Sequence, residues 1–111
     1  MTNFEFLDIL KNNLSLESKW FLVILSQQSE AINKEQLKEL ANNLYTENEK
    51  KKGKEVESGL ITSRHSLDIH TARLEGSGLV QVKEVGRARF YSITDLGKAL
   101  LEYIRRNPIN N

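Results

Sequence analysis

The sequence predicts a mainly α protein with a small β-hairpin, an α+β fold of about five helices and two or three strands. Apolar residues recur at spacings of three and four in several segments, which is the pattern of amphipathic helices. Two alternating, β-rich segments flank Gly86-Arg87, which is the pattern of a hairpin. The chain has 111 residues, 39% of them hydrophobic, so it is long enough for one modest core. We therefore expect a single domain over residues 1–111.

Two helices are predicted at the start of the chain. In residues 4–14 the apolar side chains follow helical spacing and form one stripe that needs a cover. Ser15 is a suitable N-cap for a second helix over about residues 16–28. The apolar surface of this second helix is broad, so we expect it at the centre of the core.

A third helix is predicted from Asn33-Lys-Glu-Gln36, which resembles a capping box and follows a short strand at Ala31-Ile32. It is expected to end near Leu44 or Tyr45 and to bury Leu37, Leu40, Ala41 and Leu44. Residues 46–58 are polar, contain the run Lys50-Lys51-Lys52 and are interrupted by a glycine. They predict an exposed connection, whose lysines are either solvated or close enough to contact phosphates.

The fourth predicted helix carries an unusual outer face. It begins after Thr62 or Ser63, either of which is a suitable N-cap, and it stops at Gly76-Ser77-Gly78. Its buried face is expected to contain Leu67, Thr71 and Leu74, with His70 beside them as a packing residue. The side chains left outward or at the margin are those of Arg64, His65, Ser66, Asp68, Ile69, Ala72 and Arg73. Small, donor-bearing and basic groups of this kind suit the groove of a nucleic acid.

The hairpin and a last helix complete the chain. Residues 79–85 and 88–93 form the two strands, in which Phe90 and Tyr91 point to opposite faces, so one of them is expected in the core. Thr94 caps a helix over about residues 95–106, and Pro108 prevents its continuation. The apolar stripe of this helix contains Leu96, Ala99, Leu100, Tyr103 and Ile104.

The composition argues against several classes of protein. The chain has no cysteine, which excludes disulfides, thiolate zinc sites and a cysteine nucleophile. His65 and His70 are five residues apart and do not share a helix face, so we expect no metal site. We find no catalytic triad, paired-carboxylate signature or phosphate-binding loop, and therefore expect neither an enzyme nor a cofactor. No membrane span or signal peptide is recognisable, so a cytoplasmic protein is expected.

The charge of the chain is unevenly distributed. The formal net charge is +1, but residues 1–59 carry 8 basic and 10 acidic side chains, whereas residues 60–111 carry 8 basic and 5 acidic ones. The part with the fourth helix and the hairpin is therefore the basic part. A basic region of this kind is compatible with nucleic-acid binding but does not establish it.

Two motifs carry a family resemblance over roughly residues 15–106. Leu74-Glu-Gly-Ser-Gly-Leu-Val80 resembles the exit from a recognition helix into a wing, and Tyr91-Ser-Ile-Thr-Asp-Leu-Gly97 resembles the passage from wing to last helix. With the order of elements, they resemble the winged helix-turn-helix superfamily, particularly its ArsR-like and MarR-like members. The stretch Val85 to Gly97 also resembles the wing of the centromere-binding adaptor of tubulin-like plasmid partition systems. The long connection over residues 46–58 departs from the usual tight turn.

The expected partner is double-stranded DNA. A major groove about 12 Å wide admits one α-helix, and its base edges offer acceptors to arginine. We expect base contacts from the recognition helix over residues 63–75, through at least two of Arg64, His65, Ser66, Ile69 and Arg73. At the wing, over residues 83–89, Lys83, Arg87 and Arg89 are expected to contact phosphates or the minor groove, with Arg87 the first choice.

A homodimer is expected because two-fold dimers read two half-sites. The helices over residues 1–14 and 95–106 carry more apolar surface than the core needs, which predicts an interface of Phe4, Phe6, Leu7, Leu10, Leu100, Tyr103 and Ile104. Packing within one chain is the alternative.

Three roles remain open. The first choice is a transcriptional repressor. The resemblance of the wing also implies a partition adaptor that recruits a tubulin-like GTPase. The third is a winged helix that contacts proteins only.

Overall fold

A computed structural model describes residues 2–107, which form five helices and three strands. In chain order they are α1 (Asn3–Asn12), α2 (Leu16–Ser26), β1 (Ile32–Asn33), α3 (Lys34–Lys51), α4 (Arg64–Gly76), β2 (Val80–Val85), β3 (Ala88–Ile93) and α5 (Asp95–Arg106). This confirms the predicted α+β class and the element order of a winged helix-turn-helix. Pro108, the predicted stop after α5, lies outside the described residues. Within residues 2–107 no helix is both long and apolar enough to cross a membrane.

The helix starts follow the predicted caps. The Ser15 hydroxyl accepts from the backbone N–H of Ser18, and Asn33 and Gln36 form the reciprocal capping box at α3. Ser63, rather than Thr62, caps α4, and Thr94 caps α5. Each cap side chain satisfies a backbone donor that the first helical turn leaves unpaired, so short polar side chains before apolar runs located these ends well.

The three strands form one antiparallel sheet in the order β1-β3-β2. Val82 pairs with Tyr91 and Lys83 with Phe90, so alternate side chains of the hairpin face the core and the solvent. Tyr91 is the buried one of the predicted pair Phe90 and Tyr91, with 2% of its surface exposed. The tight turn between β2 and β3 relies on Gly86, whose φ is +63°.

The core lies between α2, α3, α4, α5 and the sheet. Its fully buried side chains include Phe21, Leu22, Leu37, Ile61, Leu67, Leu74, Leu79 and Leu100. Two apolar residues predicted on buried stripes are instead exposed, namely Leu40 of α3 and Ala99 of α5. Both lie at the edge of their stripe, about 60° around the helix from Leu37 and Leu96 respectively.

Helix α3 is longer than predicted. It continues to Lys51 instead of ending near Tyr45, so the first part of the predicted connection is helical. The residues added to the helix are mostly Glu and Lys, which have high helix propensity, and Lys50 and Lys51 complement the negative end of the helix dipole. Tyr45 also packs edge-on against Trp20 of α2, with ring centroids 5.9 Å apart. The non-helical connection to α4 therefore shortens to residues 52–63.

Candidate nucleic-acid interface

Helix α4 turns one face into the core and leaves the other outward. Leu67, Thr71 and Leu74 are buried, as predicted. Of the candidate contact residues, Arg64, His65 and Arg73 are exposed, whereas Ser66 and Ile69 are half-buried. His65, Ile69 and Arg73 thus lie along the outer side of this 13-residue helix, whereas Arg64 and Ser66 lie at its two margins. A helix exposed in this way can enter a major groove.

The N-terminal ends of α3 and α4 are joined by ion pairs. Lys34 Nζ donates to Asp68 Oδ1 over 2.8 Å, and Arg64 Nε lies 3.3 Å from the same oxygen. Arg64 Nη1 also donates to Glu35 Oε1 over 2.8 Å. Arg64 and Asp68 are both predicted to lie outward or at the margin of α4, and they form an ion pair with each other. The structure shows that contact and adds Lys34 and Glu35 to it.

The cations around Asp68, Lys34 and Arg64, favour its ionised form. The hydrogen bond from Lys34 is the largest cause that lowers the pKa of Asp68 below its ordinary value, and the charges of Lys34 and Arg64 act in the same direction. A carboxylate that stays charged continues to hold both cations. The attraction of Asp68 for Lys34 and Arg64 is therefore present throughout the neutral pH range.

The hairpin presents its basic side chains unequally. Lys83 and Arg87 are exposed, and Arg87 lies in the turn itself. Arg89 points back toward the body of the protein, where its two terminal nitrogens lie 2.6 Å from Glu75 Oε1 and 3.0 Å from Glu84 Oε1. We expected Arg89 as one of three cations around the tip. The structure shows it joining the wing to the end of α4, because alternation along β3 turns it to the same face as Tyr91.

The connection before α4 is held by one asparagine. Asn42 Oδ1 accepts from the backbone N–H of Ile61 over 2.7 Å, and its amide donates to the carbonyl of Ile61 over 3.0 Å. Ile61 itself is buried, so this pair fastens the chain to α3 just before α4 begins. The connection before α4 is longer than the tight turn that usually joins these two helices. The two hydrogen bonds between Asn42 and Ile61 therefore restrict how far the start of α4 can shift relative to α3.

His70 packs within the protein. Its Nδ1 lies 3.1 Å from Ser15 Oγ, and its Nε2 lies 3.5 Å from Glu17 Oε2, so both ring nitrogens face groups at the start of α2. Its side chain is 12% exposed, which agrees with the predicted packing role. Among residues 2–107 no group of three histidine, cysteine or carboxylate side chains is placed to hold a metal ion.

The two terminal helices pack on each other within one chain. Phe4 and Tyr103 have ring centroids 6.2 Å apart, and the Tyr103 hydroxyl donates to Asp8 Oδ1 over 3.1 Å. Leu7, Leu10 and Ile104 are half-buried against the core. Leu100, also predicted as part of the dimer surface, is instead fully buried in the core of one chain and has no exposed surface for a partner.

Exposed apolar surface nevertheless remains on α1. Phe4 and Phe6 are 72% and 42% exposed, and Ile9 is 49% exposed. Ile9 is missing from the predicted interface because it lies outside the stripe at helical spacing that Phe4, Leu7, Leu10 and Leu14 form. A plot of all apolar positions around the helix would have shown that α1 is apolar on more than one side.

Lys34, Glu35 and Asn42 are the other residues that sequence reasoning missed. Lys34 and Glu35 drew attention only as the interior of a capping box, and Asn42 looked like an ordinary polar residue of an exposed helix face. Their partners are 19 to 34 residues away in the chain. No local pattern reports such contacts, because they depend on how α3 crosses α4.

Comparison with known proteins places the chain among its relatives. No protein-family model matches it. The chain is 37% identical over 112 residues to the DNA-binding protein TubR of Bacillus cereus (strain ATCC 10987 / NRS 248), an alignment that covers 100% of this chain and 92% of that protein. The chain belongs to the TubR family.

Solved structures share the fold of this TubR-family chain at lower identity. A type III plasmid segregation TubR superposes with a TM-score of 0.58 at 14% identity, covering 99% of this chain and 91% of that one. RosR of H. salinarum gives a TM-score of 0.56 at 21% identity over 89% and 82% of the two chains. RV1404 of Mycobacterium tuberculosis gives 0.63 at 16% identity, and the match spans 90% of this chain but only 56% of that one. At these identities the likeness concerns the fold alone.

Proposed function

We propose that this TubR-family protein binds double-stranded DNA as a homodimer and serves as the centromere-binding adaptor of a plasmid partition system. The observation that carries the proposal is the exposure of Arg64, His65 and Arg73 on α4. These side chains lie on the part of the helix that the rest of the chain does not cover. The wing adds a second contact through Arg87 in its turn. Helix and wing together offer one groove contact and one backbone contact.

The family membership supports DNA as the partner. The relative from Bacillus cereus is named a DNA-binding protein, and a structural neighbour is named for type III plasmid segregation. These names favour the partition hypothesis over the transcriptional repressor that the sequence analysis placed first. In the proposed role, dimers occupy repeated sites and recruit a tubulin-like GTPase. The recruited filament would then move the DNA.

DNA selection tests the proposal. The purified protein is mixed with sheared DNA from the replicon that encodes it, and the retained fragments are sequenced. Tandem repeats beside the gene are the expected result. A single palindrome over the gene's own promoter would support the repressor instead, and failure to retard any DNA at low salt would leave only the protein-contact hypothesis.

Recruitment needs a separate measurement. If a neighbouring gene encodes a tubulin-like GTPase, its polymers are sedimented with the protein and the selected DNA. Co-sedimentation that requires both the protein and the repeats is expected. Sedimentation of the DNA without the protein, or no sedimentation of the complex, would contradict the adaptor role.

A further inference from the structure

The arginine at the start of α4 is not a freely moving side chain. Arg64 is 66% exposed, yet two of its three nitrogens are engaged: Nη1 with Glu35 and Nε with Asp68. Nη2 makes no hydrogen bond within residues 2–107 and remains available to a ligand. The two ion pairs therefore favour one orientation of the guanidinium, in which a limited set of its donors is free to contact a ligand.

Asp68 also forms an ion pair with Lys34, so Lys34, Asp68, Arg64 and Glu35 form one connected network. The four side chains come from the first turns of two helices, Lys34 and Glu35 from α3 and Arg64 and Asp68 from α4. Two cations and two carboxylates cancel in formal charge. The positive ends of both helix dipoles also point to this corner, and without the carboxylates the corner would attract any phosphate.

This arrangement has opposite consequences for two kinds of DNA contact. A phosphate that lies out of reach of the free donors attracts the whole Arg64 side chain, which can contact that phosphate only by leaving Glu35. A base edge at the correct place is contacted by the free donors while Arg64 stays on Glu35 and Asp68. The carboxylates therefore disfavour the sequence-independent contact and leave the sequence-specific one intact.

We propose that Glu35 is a specificity-determining positioning residue, which holds the Arg64 guanidinium for a base edge and away from phosphates. Glu35 does not itself contact DNA. This inference rests on the proposed function, since it assigns a role within DNA recognition.

The test compares the parent protein with Glu35→Gln on two DNA fragments. One is the fragment retained most strongly in the selection, and the other is a shuffled fragment of equal length and base composition. On shuffled DNA the variant should bind about two- to five-fold more tightly, the range expected for losing one exposed ion pair. Its salt dependence there should steepen by about 0.9 in the log-log slope, for one added phosphate contact. On selected DNA its affinity should not rise, so the ratio of the two affinities falls.

Glu39→Gln is the matched control. Glu39 is exposed one turn further along α3 and has no ion pair within residues 2–107, so its substitution changes the net charge equally without releasing Arg64. It should leave the affinity ratio unchanged. In an Arg64→Ala background, Glu35→Gln should also leave the ratio unchanged. Thermal unfolding of each variant confirms that the fold is intact.

Several results would overturn the inference. Equal tightening on both fragments, the same loss of selectivity in Glu39→Gln, or no change in Glu35→Gln would each reject a positioning role for Glu35 while leaving the proposed function standing. A parent protein that binds neither fragment would reject the proposed function, and the inference with it.

Discussion

Some close contacts in this protein depend on a single residue. Gly97 is the clearest example. It lies in the first turn of α5, inside the motif that links the wing to the last helix. A Cβ atom at this position would lie 2.4 Å from the carbonyl oxygen of Leu79 and 2.6 Å from Ile93 Cγ1. The motif therefore ends in glycine because α5 touches the start of the hairpin there.

We expect Gly97→Ala to lower the free energy of unfolding by about 1 to 3 kcal/mol, the usual cost of overpacking a well-packed site. Denaturant unfolding measures it. Gly76→Ala is the control, because Gly76 is also helical and nothing lies within 4 Å of the added carbon. Equal stability of the Gly97→Ala variant and the parent would show that α5 shifts without cost.

The free energy of unfolding is expected to depend on pH through Asp68. Its pKa is lowered in the folded state, so the ionised carboxylate contributes stability above its ordinary value of 3.8, and this contribution disappears as the pH falls through the lower, folded-state pKa. The Tm of Asp68→Asn should therefore lie below that of the parent at neutral pH, and the difference should shrink on acidification below about pH 4. Glu30→Gln, an exposed acidic residue with no ion pair within residues 2–107, should show no such difference. A pH-independent difference would reject the assignment.

At the scale of elements, the position of α4 depends on its attachments at both ends. Asn42 fastens the chain before it, and Arg89 joins the wing to Glu75 near its C-terminal end. The hydrogen bonds of Asn42 position the start of α4, which a tight turn would otherwise do. Helix and wing can therefore act on a ligand as one rigid unit.

Asn42→Ala should lower the free energy of unfolding by about 1 to 3 kcal/mol, because it leaves the buried backbone groups of Ile61 without partners. Hydrogen exchange at the Ile61 amide should also accelerate. Asn43→Ala is the matched control, since Asn43 is exposed and forms no side-chain hydrogen bond within residues 2–107. Unchanged exchange at Ile61 would contradict the role of Asn42.

Replacing Arg87 and replacing Arg89 should change the salt dependence of DNA binding by different amounts. Arg87→Ala should weaken binding to all DNA sequences alike and reduce the salt slope by about 0.9, as expected for one lost phosphate contact. Arg89→Ala should change the salt slope less, since this side chain already pairs with Glu75 and Glu84. Titrations at several salt concentrations test both. A larger change in slope for Arg89→Ala than for Arg87→Ala would reverse the assignment.

At the scale of the whole molecule, three of the six large apolar side chains that stay exposed among the described residues lie on α1. Phe4, Phe6 and Ile9 stay exposed although α1 packs against α5. Exposed apolar side chains concentrated on one terminal element favour a contact with another copy. The homodimer proposed above is expected to use the side of α1 that carries Phe6 and Ile9.

The double substitution Phe6→Ser with Ile9→Ser should convert the dimer to a monomer without loss of helix content, because neither side chain is part of the buried core. Analytical ultracentrifugation gives the mass, and circular dichroism gives the helix content. Val85→Ser is the control, since Val85 is an exposed apolar residue at the tip of the wing, on another element. A dimer that survives the double substitution would place the interface elsewhere.

The sequence by itself determined the local features of this protein. Ser15, Asn33 and Thr94 marked helix starts because a cap contacts a backbone group only three residues away. The hairpin, its glycine turn and the outer side of α4 followed from alternation and helical spacing in the same way. Each of these signals lies within a few residues of chain.

Tertiary structure alone decided the contacts between elements. Leu100 became core instead of interface, Arg89 turned back to Glu75, and Glu35 met Arg64 across two helices. A helical stripe tells which side of an element is apolar but not what covers it. Because each of these contacts joins residues distant in the chain, it exists only once the crossing of the helices and the pairing of the strands have brought the partners together.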